Sequence, residues 1–237
     1  IKMHNLSPTK ILVSIKSFNE AMLVLNKGID IIDFKDPTLG SLGALPIDKI
    51  QSCLNIIPPN QLTSATIGDI CNIEEIKKKT LFLSKIEIDF IKIGFFFDQK
   101  KLKNLLSLKK IVKNKKIIAV LFADKQPTIN FIKEIKKINF DGILIDTQNK
   151  ENGNLRDCLT NNEIKNFVKL SKKENLTIGL AGSLTIDDID PLRKIHPDYL
   201  GFRGALCNSN KRKSDISEIL LNKVLSKFRS FTFQKAI

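Results

Sequence analysis

Short apolar runs rich in Ile, Leu and Val recur along the chain, separated by longer stretches with helical spacing. Eight such runs stand out: ILVSI (11–15), IIDFK (31–35), LTSAT (62–66), FIKIG (90–94), IIAVLF (117–122), GILID (142–146), TIGLAG (177–182) and YLGFRG (199–204). Runs of this length and residue type predict buried strands. Between them, SFNEAMLVLNKG (17–28) repeats apolar residues one helical turn apart and ends on Gly28, a helix-stop signal. Thr160 followed by Glu163 predicts a capping box opening the helix of 160–175. Helices are also predicted at 185–195, in NIEEIKKKTLFLSK and in KKLKNLLSLKKIVKN. A polar loop from about 209 leads into a last helix, and residues 1–9 and the last half-dozen are expected to be loosely ordered.

Eight alternations of strand and helix in about 200 residues predict an α/β fold with a parallel sheet, closed as a single (β/α)8 TIM barrel spanning 1–237. An open doubly wound sheet is the alternative. That fold usually carries glycines after its first strand, and SIKSFNEA has none. No linker divides the chain.

Side chains alternate between the faces of a strand. In IIDFK, Ile32 and Phe34 share one face, and Ile31, Asp33 and Lys35 the other. Ile91 and Ile93 oppose Phe90, Lys92 and Gly94; Ile143 and Ile145 oppose Leu144 and Asp146; Phe202 opposes Arg203. The wholly apolar face must meet the helices. The other therefore carries Asp33, Lys35, Lys92, Asp146 and Arg203 into the lumen, mostly near the C-terminal strand ends, with Thr66 a further candidate. An isolated buried charge costs several kcal/mol, so a lone Lys–Asp pair reads as a satisfied ion pair, whereas five charges at one end point to a site. Two glycine turns, LAGSL (180–184) and GFRGALC (201–207), follow strands seven and eight. Turns there offer backbone N–H groups to phosphate. Gly182, Ser183, Gly204 and Ala205 are the candidates, with Arg203 adding a guanidinium fork.

Composition narrows the function. The 237 residues, 42% hydrophobic, suffice for one large core, and no apolar run approaches the ~20 residues of a membrane span. With no secretion-signal pattern at the start, a soluble cytoplasmic protein is expected. Four scattered cysteines and two histidines predict no metal site. The formal charge of +14 raises nucleic-acid binding as an alternative role. However, only five basic residues are Arg, and aromatics do not interleave with the lysine runs as a stacking platform requires. The same charge attracts anionic small molecules such as sugar phosphates. Homo-oligomerisation is left open.

With no metal set and no Cys–His pair, lysine is the distinctive group. A neutral lysine amine forms an imine with a carbonyl, provided burial and neighbouring cations lower its pKa from ~10.4 towards ~7–8. Lys35, Lys92 and Lys150 are placed to crowd one pocket, one as nucleophile and another moving protons, with Asp33 and Asp146 orienting amines or relaying protons. This pattern fits an aldolase-like or dehydratase-like phosphosugar enzyme without fixing a substrate.

The motifs DIIDFKDPTLGSLGA (30–44), SATIGD (64–69), DFIKIG (89–94), ILIDTQNK (143–150), LAGSL (180–184) and LGFRGALC (200–207) resemble those of the (5-formylfuran-3-yl)methyl phosphate synthases. These are barrel enzymes of methanofuran biosynthesis in methanogens and methylotrophic bacteria. The resemblance runs in order from about residue 11 to 208. It implies condensation of two glyceraldehyde 3-phosphate molecules to 4-(hydroxymethyl)-2-furancarboxaldehyde phosphate, with release of one phosphate and water. It further implies that Lys35 is the Schiff-base lysine, that Lys92 transfers protons, that Asp33, Asp146 and Lys150 line the same site, and that no cofactor or metal is needed. The segments before DFIKIG and after LFAD are shorter than the resemblance leads one to expect, and the interior of DTQNKENGNL is altered. Another aldolase or epimerase on the same barrel remains the alternative enzyme.

Overall fold

The computed structural model describes residues 8–233; the ends expected to be loose fall largely on 1–7 and 234–237, outside the described residues. Among the described residues, eight strands run parallel and close in sequence order. They are β1 (Lys10–Ile15), β2 (Ile31–Phe34), β3 (Leu62–Thr66), β4 (Phe90–Gly94), β5 (Lys116–Phe122), β6 (Gly142–Asp146), β7 (Thr177–Leu180) and β8 (Tyr199–Phe202). β1 pairs with β8, so the sheet has no edge and forms the expected barrel. β2, β7 and β8 end sooner than the sequence runs, because Lys35, Ala181–Gly182 and Arg203–Gly204 already belong to the turns above them.

The helices are α1 (Phe18–Val24), α2 (Ile47–Leu54), α3 (Ile73–Leu83), α4 (Leu108–Ile111), α5 (Asn130–Lys137), α6 (Leu155–Cys158), α7 (Asn161–Lys173), α8 (Ile189–Arg193) and α9 (Glu218–Phe233). The Thr160–Glu163 capping box opens α7 as its spacing predicts. The helix expected over KKLKNLLSLKKIVKN is instead a 3₁₀ segment, Gln99–Leu105, followed by the short α4. Its buried leucines, Leu102, Leu105 and Leu108, are three residues apart, which suits three residues per turn better than 3.6.

Two apolar layers sort by strand parity. Ile32, Phe34, Ile91, Ile93, Ile143, Ile145 and Phe202 pack outward into the helix-covered core. Leu12, Ile31, Ile118, Val120, Leu144 and Tyr199 fill the lumen. At the N-terminal mouth a carboxylate entering each even strand accepts an N–H of the strand before it: Asp30 from Ile11, Asp89 from Thr63, Asp141 from Ile117 and Asp198 from Ile178. These four bonds satisfy strand-end amides that would otherwise be orphaned. They also leave the opposite end of the barrel for chemistry.

Candidate functional site

The lumen charges lie above the apolar layer. Register sets Ser14, Asp33 and Ser64 side by side on β1, β2 and β3. Both hydroxyls therefore reach the fully buried Asp33, at 2.7 and 2.6 Å, and Lys92 Nζ completes its shell at 2.6 Å. A buried carboxylate with two O–H donors and an ammonium is satisfied rather than strained.

Lys35 follows β2 directly, its N–H held by the Ile15 carbonyl. The residue is 7% exposed, and its amine stands 3.6 Å from Asp146 Oδ2. Burial is the largest influence on it and strips the proton. Asp146 opposes this, while Lys150, Lys92 and Arg212 reinforce it, bringing the pKa down to about 7. Asp146 is drawn the other way. Burial raises its pKa, but the ammonium groups of Lys150 and Lys35 and the Thr147 amide outweigh burial and hold the carboxyl well below its usual range. Lys150 Nζ donates to Asp146 Oδ1 at 2.5 Å, and also to the Thr147 carbonyl and hydroxyl.

A cavity of about 360 Å³ opens at the C-terminal strand ends, lined by Lys35, Lys92, Asp146, Lys150, Gly182, Ser183, Arg203 and Gly204. Gly182 has φ +104° and Ser183 φ +51°, so the turn after β7 is a left-handed pair. A Cβ on Gly182 would sit 3.0 Å from Thr147 Cγ2, so the turn packs too closely on the β6 loop for a larger residue. The Gly182 and Ser183 amides find no acceptor within the described chain. Two adjacent N–H groups left open in this way have the geometry that suits an anion.

Four sequence candidates are placed differently. Ala205 packs against the outer core and does not line the cavity. The Thr66 hydroxyl is turned to the Leu42 carbonyl. The fork expected from Arg203 is not available to phosphate. Nε donates to Arg212 O, Nη1 to Ser14 O and Glu20, and Nη2 to Glu20 and Ser214 O, so all five N–H groups have protein acceptors. The physical reason is Glu20, buried on α1, whose charge requires a partner. Asp33 stands behind Lys92 rather than on the cavity wall. Sequence reasoning missed Ser14, which alternation along β1 would have placed beside Asp33. It also missed Arg212, which carried no signal in its polar loop; the structure brings this residue to the cavity wall.

These features define a (β/α)8 barrel with a lysine–aspartate cavity at the end where such barrels carry their active sites. A family model described as 4-HFC-P synthase matches residues 11–225, and the chain belongs to that family of enzymes. A Methylorubrum extorquens relative is 34% identical over 206 residues, covering 86% of this chain and 85% of its own. Relatives from Methanosarcina acetivorans and Methanococcus aeolicus, each named (5-formylfuran-3-yl)methyl phosphate synthase, are 30% and 31% identical, covering 89% and 85% of this chain and 96% and 92% of their own. Among solved structures, phosphoribosyl anthranilate isomerase from Thermus thermophilus superposes with a TM-score of 0.67 at 10% identity, over 94% of this chain and 100% of its own. That likeness concerns the fold. Among the described residues, no helix is long and apolar enough to cross a membrane, and no group of His, Cys, Asp or Glu could hold a metal ion.

Proposed function

We propose that this chain is a (5-formylfuran-3-yl)methyl phosphate synthase of methanofuran biosynthesis, condensing two molecules of glyceraldehyde 3-phosphate with loss of one phosphate and two molecules of water. The observation that carries the reading is the Lys35 amine, buried, with its pKa near 7, and 3.6 Å from Asp146. About half of such an amine is neutral at pH 7 and able to attack a carbonyl carbon. The imine then withdraws electrons from the neighbouring carbon, so a proton can leave there and a carbon–carbon bond can form. Lys92 moves protons, its charge buffered by Asp33. Asp146 and Lys150 form a fixed ion pair that orients Lys35 and stabilises the iminium. The Gly182–Ser183 turn and the Gly204 amide hold one substrate phosphate.

Borohydride added with glyceraldehyde 3-phosphate should trap an adduct on Lys35, read by peptide mass mapping. Lys35→Ala should lose the adduct and lower turnover by about 10³-fold or more. Intact turnover in Lys35→Ala would sink the proposal. NMR of the product distinguishes a furan aldehyde, with its aromatic protons, from the output of an aldolase or epimerase.

A further inference from the structure

We propose that Arg212 anchors the phosphate of the second triose phosphate, in the cavity that the Gly182–Ser183 turn also lines. This rests on the reading above, in which two phosphate esters enter one cavity. Each carries close to two negative charges at neutral pH. One glycine turn can hold one of them. The other, taken into a partly buried cavity, needs a cation of its own.

Five basic side chains line the cavity: Lys35, Lys92, Lys150, Arg203 and Arg212. Lys35 must be neutral to attack. Lys92 is held by Asp33, and Lys150 by Asp146 and Thr147. Arg203 has spent every donor. Among the described residues Arg212 makes one side-chain hydrogen bond, Nη2 to the Gly40 carbonyl at 2.8 Å. Its other four N–H groups have no acceptor among the described residues. The nearby carboxylates do not compete. Asp146 is taken by two lysines, and Asp69 by the Ser41 and Leu42 amides and the Ser41 hydroxyl.

Arg212 is also held in place. Its own carbonyl accepts from Arg203 Nε, and Ser214 O accepts from Arg203 Nη2. The Glu20–Arg203 pair thus pins the loop that carries Arg212. The bond to Gly40 bridges that loop to the turn after β2, the strand that Lys35 follows. A planar fork so fixed suits phosphate bidentately, where a lysine would offer a point charge.

Titration with glycerol 3-phosphate, which has no carbonyl and forms no imine, separates binding from chemistry. The full chain should bind two equivalents and Arg212→Gln one. With glyceraldehyde 3-phosphate and borohydride, Arg212→Gln should still yield the Lys35 adduct while furan formation falls by about 10²-fold, the scale of losing one preorganised charge. Arg212→Lys should recover part of that loss. Two equivalents in Arg212→Gln, one equivalent in the unaltered chain, or loss of the adduct together with turnover would each overturn the assignment. If the unaltered chain makes neither adduct nor furan, the proposed function fails, while the titration still reports whether Arg212 holds a phosphate.

Discussion

Lys35 carries a stability cost that the proposed chemistry would require. An unfolded lysine keeps its ordinary pKa of 10.5, and the folded one falls to about 7. Below about pH 10.5 folding must therefore either discharge this amine or, below about pH 7, bury it charged, and both oppose folding. The penalty is complete below about pH 7, fades as pH rises, and vanishes near 10.5, where the amine is neutral in both states. Lys35→Met should accordingly raise the melting temperature at pH 6 by roughly 5 °C, with a gain that shrinks towards pH 10. Calorimetry across pH checks this, and a gain that grew with pH would contradict the assigned shift. Strand alternation alone placed Asp33, Lys35, Lys92 and Asp146 inward, and the structure gathers them there. Arg203 followed the same rule, but its partner, Glu20, lies far away in sequence, and alternation says nothing about partners.

At the level of elements, the closing strand and its loop depend on that pair. Glu20 on α1 accepts two bonds from Arg203, one from the Ile216 amide and one from the Lys16 amide. It thereby joins the start of α1, the end of β8 and the approach to α9. Glu20→Gln leaves a buried guanidinium without its counter-charge, a change that typically costs about 3–5 kcal/mol. For a chain of this size the melting temperature should drop by roughly 10 °C. Loss of the pinned loop should also weaken phosphate binding more than adduct formation at Lys35. A melting curve within 2 °C or so of the unaltered chain would show the clasp to be incidental. The helix expected over 100–114 illustrates a different limit. Apolar spacing over two turns fits both a 3₁₀ and an α pattern, and the packing of Leu102, Leu105 and Leu108 under the barrel wall decided between them.

For the whole molecule, a net charge of +14 accompanies a mouth lined by cations. Such a field gathers phosphate esters and is screened by salt. The specificity constant for the proposed substrate, glyceraldehyde 3-phosphate, should fall several-fold between about 0.05 and 0.5 M salt while kcat changes little. Steady-state kinetics at fixed pH tests this; a kcat that fell in parallel would place the salt effect on chemistry instead of encounter.

The barrel and the inward faces of β2, β4, β6 and β8 were legible in local periodicity, because a strand with one wholly apolar side can bury that side in only one direction. The lysine–aspartate cluster followed from the same alternation. What only the tertiary structure decided is which charge meets which. Glu20 takes Arg203 out of the cavity, Asp33 takes Lys92, and Arg212 arrives from a loop with no periodicity to announce it. Pairing between charges depends on distances across the closed barrel, set when β8 returns to β1, and no pattern along the chain encodes those distances.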